Sequence, residues 1–519
     1  MNPLPYILIT IILLSLIFSY LSMISTKNSF DIVRDMGLGY NLGNTFDSYS
    51  FMGDIYIPKE QITLNGNTMP TKNMIKKLKK YGFKTIRFPV TWLYFIDDYG
   101  NINPEWMLLV KEVVDLIIKE KLYCILNIYN DGVYGNWLTR GIEVKDKYIN
   151  LWAQIAKEFK DYNNYLIFES MDEVYFYNRQ TYNFDYDTLF NFNQAFVDTI
   201  RNSGRNNIER LLIIPGAYSE LDMTCTSDYK IPVDPYHKLT ISLHYYAPSP
   251  FTREYYFDAF NWTDGDGIVY SYEPALIWGN QDEYFQIITD FELMKNSFVN
   301  KGIPIIISEV GVLTEERKKL ESIREYLYMV FSMSSDYDGI MTCLWDTSNK
   351  EYGEINFYDR ENDKWYDDKL KENFIEISRG RYIKPMDFYT KTHFEVVTIP
   401  YLGGTFQIKI GNRRSLKIIL NVRLNGASLM DINLGIYSYD SSGRSFVINF
   451  EKSNGKKQYD GNYIFYIDVS NIKCYDYIIV TKSDGAQYVT LNNLTVEFEE
   501  KFQSIDYKSY KSAISNFVY

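Results

Sequence analysis

Between about Asp31 and Lys384 the chain repeats one pattern, a short apolar run followed by a stretch of helical length. The runs are Gly39–Leu42, Thr85–Val90, Tyr123–Tyr129, Leu166–Ser170, Leu211–Pro215, Leu239–Tyr245, Ile303–Ser308 and Gly339–Trp345. The stretches between them include Thr71–Tyr81, Pro104–Lys119, Lys147–Tyr162, Asp187–Ser203, Asp282–Lys301 and Glu315–Ser334. A run that is apolar throughout, rather than at every second position, reads as a strand covered on both faces. Parallel strands need long crossovers, and helices supply them. Eight such units in about 350 residues predict a closed (β/α)8 barrel, the TIM fold, over residues 31–384. An open doubly wound sheet would use the same units, but it usually carries a Gly-rich phosphate loop, which this sequence lacks.

Beyond Pro385 the period changes. Thr405–Ile410, Leu416–Leu424, Asn433–Tyr439, Ser445–Glu451, Tyr463–Val469, Tyr477–Thr481 and Leu494–Phe498 are strand-like and separated by Gly, Asn, Asp and Ser. Residues 390–500 are therefore expected to form an antiparallel β-sandwich. A polar, tyrosine-rich tail occupies 501–519. At the other end, Ile7–Ile24 is nearly all apolar. Its roughly 18 residues are near the minimum for a bilayer span. Residues 1–26 thus read as a signal peptide or, alternatively, a membrane anchor. Either places the remainder outside the cytosol, extracellular if the segment is removed and attached to the cell surface if it stays.

The formal net charge is -12. Nucleic acids are bound by clustered Lys and Arg, so no nucleic-acid partner is expected, whereas a neutral polysaccharide is not repelled. Cys124, Cys225, Cys343 and Cys474 are far apart, with no CxxC pair, and suggest neither a disulfide framework nor a zinc site. With only His237, His244 and His393 present, no multi-histidine metal centre is expected, and no cofactor motif appears.

In a parallel barrel the chemistry sits at the carboxyl ends of the strands. The polar residues there are Asn41 and Asn44, Arg87, then Tyr129, Asn130 and Asp131 with Trp137 shortly after. They continue with Glu169, Asp172 and Glu173, then His244 and Tyr246, Glu309, and finally Trp345 and Asp346. Glu173 and Glu309 each follow an apolar strand, where a charge is costly without a purpose or a partner. Two carboxylates facing each other across a barrel mouth suit glycoside hydrolysis, one protonating the leaving oxygen and the other attacking the anomeric carbon.

Six segments carry a resemblance to a known family. They are Gly39-Tyr-Asn-Leu-Gly-Asn-Thr-Phe-Asp47, Thr85–Trp92, Leu166-Ile-Phe-Glu-Ser-Met-Asp-Glu173, Ile241–Thr252 with its His-Tyr-Tyr, Pro304-Ile-Ile-Ile-Ser-Glu-Val-Gly311 and Leu344-Trp-Asp346. In this order and spacing the chain resembles glycoside hydrolase family 5, the cellulase family, and most of all its endoglucanase and xyloglucanase branch. The resemblance implies a retaining endo-β-1,4-glucanase acting on a β-glucan. It implies Glu173 as acid/base and Glu309 as nucleophile, with Arg87 and Tyr246 supporting Glu309 and His244 bridging to Glu173. Asn44, Tyr129, Asn130, Trp137 and Trp345 would line the substrate site, Trp345 as a stacking floor.

The sequence also departs from the family pattern. Asp172 stands where the family has Asn, and Tyr129-Asn130 stands where it has His-His. An amide donates to the sugar 2-hydroxyl, whereas a carboxylate cannot. A third carboxylate should also raise the pKa values of the group, and Asp172 could donate only if it stayed protonated. The departures leave a second expectation, a catalytically weak or inactive barrel that binds carbohydrate at the cell surface. The attachment of the sandwich to such a barrel suggests a carbohydrate-binding module.

Overall fold

A computed structural model describes residues 27–382, apart from 49–56, 130, 133–135, 179, 182, 254–259, 264–268, 273–276, 280, 315–317 and 349–353; beyond Tyr382 it describes only the backbone of strands between Lys391 and Phe498. The apolar stretch Ile7–Ile24, Asn130 and the tail 501–519 lie outside the described residues. No helix among the described residues is long and apolar enough to cross a membrane.

The eight expected strands are present as β1 (Leu38–Asn41), β2 (Phe83–Phe88), β3 (Tyr123–Asn127), β4 (Leu166–Glu169), β5 (Leu212–Pro215), β6 (Leu239–His244), β7 (Ile305–Val310) and β8 (Ile340–Leu344). All pair in parallel, in the closed order β1-β8-β7-β6-β5-β4-β3-β2, so the barrel predicted from the apolar runs is the observed one. The bounds differ from expectation where local chemistry intervenes. β2 stops at Phe88 because Pro89 has no N–H to give to the ladder. β7 runs on to Val310, which puts Glu309 inside the strand rather than after it.

The α-helices of eight or more residues among the described residues are α1 (Ser29–Met36), α2 (Lys72–Lys80), α3 (Pro104–Lys119), α4 (Lys145–Phe159), α5 (Tyr186–Asn202), α6 (Gln281–Ser297), α7 (Leu320–Asp336) and α8 (Asp368–Ser378). Their starts are written in the sequence. Thr71, Asn103, Asp185 and Asp367 cap α2, α3, α5 and α8 by accepting from first-turn N–H groups. Asn28 and Asp31 form a reciprocal capping box on α1. Helix α4 buries Tyr148, Leu151, Trp152, Ile155, Ala156 and Phe159, an apolar stripe at helical spacing. The β5–β6 crossover carries only one short α-helix, Leu221–Thr224.

Helix α1 closes the end of the barrel where the strands begin. Its Ile32, Val33 and Met36 pack with Tyr123, Ile125, Ile167, Leu211, Ile213, Ile306, Met341 and Cys343. The packing is close at Gly39, where a side-chain carbon would meet the Cys343 sulfur at 2.2 Å. The carboxyl end is left for polar groups.

Residues Ala247–Lys301, Glu316–Asp336 and Arg381 onward make a second compact unit, which includes α6 and α7. Its strands beyond Lys391 pair only antiparallel, as their turn-rich sequence predicts. Tyr475–Lys482 lies between Thr405–Arg413 and Ile432–Tyr437 in one sheet, and Ser415–Arg423 lies between Val489–Phe498 and Tyr463–Asp468 in another.

Arg210 is fully buried just before β5. It donates to the carbonyls of Phe159, Tyr162, Asn163 and Leu166 and to Asn207 Oδ1, tying the end of α4 to β4. An apolar replacement would strand those carbonyls in the interior. Arg210→Met is expected to destabilise the barrel by about 3 kcal/mol or more. Denaturant unfolding of the two proteins checks this, and a loss below about 1 kcal/mol would contradict it.

Candidate active site

The strand register brings the polar groups together. Asn41 lies opposite Arg87, Asn127 opposite Glu169, and His244 opposite Glu309. The β6–β7 ladder shifts between Leu243 and His244, and the β7–β8 ladder between Thr342 and Leu344. Such irregularities re-aim side chains at a barrel rim.

Arg87 is the centre of the cluster and is wholly buried. Its Nε donates to Glu169 Oε2 at 2.7 Å, and its Nη1 to Glu309 Oε1 at 2.9 Å and Asn41 Oδ1 at 3.2 Å. Its Nη2 donates to Asp172. Asn127 Nδ2 adds a second donor to Glu169 Oε2, at 3.1 Å. Burial works against the guanidinium charge, but Glu169, Asp172 and Glu309 outweigh it and raise its pKa.

Glu309 is held from both oxygens. Besides Arg87, Tyr129 Oη donates to Oε1 at 3.3 Å and Tyr246 Oη to Oε2 at 3.1 Å. Burial pushes its pKa up to about 7, His244 and Arg87 oppose the rise, and Asp172 and Glu173 add to it. Glu173 differs in setting. Its backbone sits at φ 42°, a left-handed conformation that costs a non-glycine residue energy and is found where function over-determines geometry. Its side chain is 39% exposed, against 5% for Glu309. The buried, triply contacted carboxylate suits a nucleophile, and the open one suits proton exchange with substrate and water.

His244 joins the two. Its Nδ1 lies 2.7 Å from Glu173 Oε1 and 3.5 Å from Glu309 Oε2, and its Nε2 lies 3.2 Å from Asp172 Oδ1. The nearest oxygens of the two glutamates therefore lie within the sum of the first two lengths. The two carboxylates are thus neighbours across a single imidazole nitrogen. Burial alone would lower the His244 pKa, but Glu309, Asp172 and Glu173 lift it well above the usual value. His244 is thus an imidazolium with both nitrogens donating.

Asp172 corrects an expectation. A third carboxylate was expected to raise the whole group, with a protonated Asp172 still able to donate. Burial does favour protonation, but Arg87 and then His244 overcome it, and the Asp172 pKa is lowered. Asp172 is an ionised acceptor, and it pushes up Glu309 rather than itself.

The other sequence-predicted residues divide. Tyr129 belongs to the cluster, its ring stacked on Trp345 at 5.7 Å between centroids and 14° between planes. Trp345 is only 9% exposed, with Gly43 so close that a side-chain carbon there would meet its ring at 3.1 Å. The face expected to stack on a sugar is thus partly covered by Tyr129. Asn44 occupies a left-handed turn at φ 56°, where its N–H and that of Thr45 donate to Asp47. Trp137 is buried, and its indole N–H donates to Asp131 Oδ1 at 2.6 Å; the Lys147 ammonium lies 5.0 Å from its ring. Neither Asn44 nor Trp137 is brought to the Glu173–Glu309 cluster by a side-chain hydrogen bond. Asn41 and Glu169, listed from the sequence at the strand ends but given no role, and Asn127, which was not picked out, complete the shell around Arg87. A polar residue inside an otherwise apolar strand was the available signal.

Asp172, His244 and Glu309 also place three ligand-type atoms within 4.8 Å of one another. A divalent ion there would have to displace the guanidinium and take the proton of His244, so the electrostatics favour the cluster as an acid–base site.

A parallel barrel with paired glutamates at its carboxyl end defines a glycoside hydrolase site. A family model, Cellulase (glycosyl hydrolase family 5), matches residues 54–351, more than half of the chain. Endoglucanase A of Clostridium longisporum is 31% identical over 365 residues, 68% of this chain and 66% of that protein. Endoglucanase A of Paenibacillus barcinonensis is 35% identical over 300 residues, 54% of this chain and 72% of that one. Among solved structures, a GH5-4 broad specificity endoglucanase from an uncultured bovine rumen ciliate is 52% identical with a TM-score of 0.66, covering 68% of this chain and 99% of that one. The chain belongs to glycoside hydrolase family 5, as the sequence resemblance implied.

The pH dependence follows from the charges. A Glu309 that serves as nucleophile has to be ionised to attack, so on that reading kcat/KM should rise with pH through the region near 7. Asp172→Asn removes a carboxylate that raises Glu309 and releases part of Arg87. The rising limb is expected to move to lower pH. A kcat/KM profile with an unmoved limb, or one moved upward, would refute this electrostatic account.

Proposed function

We propose that the protein is an extracellular, retaining endo-β-1,4-glucanase acting on cellulose-like, xyloglucan or mixed-linkage β-glucans. The observation that carries the reading is the single His244 nitrogen contacting both Glu173 and Glu309, because only a close carboxylate pair supports double displacement. Glu309 attacks the anomeric carbon while the glycosidic bond breaks and Glu173 gives its proton to the leaving oxygen. Glu173 then takes a proton from water, whose oxygen attacks the same carbon and releases Glu309. The substrate class rests on relatives named as endoglucanases and on solved family 5 structures that include a Paenibacillus pabuli xyloglucanase, 30% identical with a TM-score of 0.58. Extracellular location rests on the apolar stretch Ile7–Ile24 and admits cell-surface attachment. The antiparallel sheets beyond Lys391 are read as a β-sandwich that serves as a carbohydrate-binding module.

A second reading, a weak or inactive barrel that binds glycan, draws on the ionised Asp172. Facing the sugar 2-hydroxyl, it accepts where the family's amide donates, and that contact normally strengthens in the transition state.

Release of reducing ends from soluble β-glucans decides between the two readings: binding without cleavage would sink the enzyme. If cleavage is seen, Glu309→Ala should abolish it. Glu173→Gln should lose about 10²–10⁴-fold on glucan and far less on an aryl glycoside whose leaving group needs no proton. An equal loss on both substrates would remove Glu173 from the acid role. Asp172→Asn should raise the rate on glucan by roughly tenfold, the worth of one hydrogen bond regained in the transition state.

A further inference from the structure

Arg87 is shared among more carboxylates than it can neutralise. Its Nε is committed to Glu169 and its Nη2 to Asp172, which leaves Glu309 one N–H of Nη1. The remaining Nη1 donor goes to Asn41. Glu309 nonetheless has a further neutral donor on Oε1, the Tyr129 hydroxyl, from the position that follows β3. The phenol is fixed in place by three contacts: its ring lies on Trp345, the Arg87 guanidinium carbon is 5.7 Å from its centroid, and its backbone N–H donates to Val90 O at 2.8 Å. Burial first, and Glu309 next, keep the phenol protonated and therefore a donor.

We propose that Tyr129 is a positioning residue for the nucleophile, whose hydroxyl supplies to Glu309 Oε1 the hydrogen bonding that Asp172 draws away from Arg87. This rests on the reading of Glu309 as the nucleophile. The two departures from the family pattern, at Asp172 and Tyr129, are then one coupled change. The groups facing Glu309 are Arg87 from β2, Tyr129 after β3, Asp172 and Glu173 after β4, and His244 and Tyr246 from β6 and just beyond it, with the Cys343 thiol of β8 further out; Asp47 acts on Tyr129. Of these, only the two tyrosines offer neutral hydroxyl donors directly to its carboxylate.

The test uses the full chain and 2,4-dinitrophenyl 2-deoxy-2-fluoro-β-cellobioside. A Glu309 oxygen forms a bond to the anomeric carbon, the bond to the dinitrophenolate breaks, and the anion leaves with its electron pair. No proton is required, so Glu173 drops out, and fluorine replaces the 2-hydroxyl that would face Asp172. The rate of dinitrophenolate release against pH thus reads Glu309 alone. Tyr129→Phe keeps the ring on Trp345 and removes only the hydroxyl. Its inactivation midpoint should rise by about one pH unit, with about tenfold slower labelling below the midpoint and convergence above it. In an Asp172→Asn background, where Arg87 is freed, the same substitution should shift the midpoint by clearly less. A Tyr129→Phe midpoint equal to that of the wild type overturns the role of Tyr129, and equal shifts in both backgrounds overturn its link to Asp172. A wild type that hydrolyses glucan but is not labelled at Glu309 removes the nucleophile and with it this role, whereas no hydrolysis and no labelling at all defeats the proposed function itself.

Discussion

One buried guanidinium organises this barrel's polar end. Arg87 projects from a strand whose other residues are mostly apolar, and it is charged at every accessible pH. A charge so placed must be paired, or the interior would reject it. Three carboxylates, Glu169, Asp172 and Glu309, meet it through three different nitrogens. One cation cannot balance three anions, so the surplus has to be met elsewhere. The protonation of His244, the two tyrosine hydroxyls on Glu309 and the amide of Asn127 on Glu169 all answer that surplus. The chemistry of the site is in this sense a consequence of electroneutrality around groups that are buried, Arg87, Asp172 and Glu309 among them.

The barrel makes such a cluster affordable by fixing its members on strands. Neighbouring strands place Asn41 beside Arg87, Asn127 beside Glu169 and His244 beside Glu309, so each pair is set by ladder register rather than by a loop. Apolar packing under α1 consumes the opposite end of the barrel. Tyr129, Asp172, Glu173 and Tyr246 lie past strand ends, and of these Glu173 adopts a left-handed conformation. A group that must exchange protons with leaving group and water is the one that needs exposure, and it is the one the fold holds by strain and by His244 rather than by a ladder.

Much of this was legible in the sequence because apolar runs and helical spacing are local signals. Eight runs gave the barrel, carboxyl-end placement singled out Glu173 and Glu309, and the family resemblance pointed to Arg87, His244 and Tyr246 as their supports. Two kinds of fact were not legible. The first is direction: Trp137 lies close in sequence to the third strand's end, but its indole is turned to Asp131, and nothing in spacing alone reveals which way a ring faces. The second is electrostatic sharing. The charge state of Asp172 depends on which nitrogen of Arg87 reaches it across 85 residues of chain, and only three-dimensional placement decides that. Asn127 was hidden for a related reason, since it lies within an apolar run and its partner is on the next strand.

The same charge accounting bears on a covalent step at this site. On the reading of Glu309 as the nucleophile, its negative charge, which in the free site faces Glu173 across His244, would be lost once it is bound to the sugar as a neutral ester. The charge of Asp172 would persist, because Arg87 and His244 hold that carboxyl below its usual range. Asp172 therefore helps to keep His244 protonated on both sides of such a step, where the family's amide would leave the imidazole facing one anion fewer.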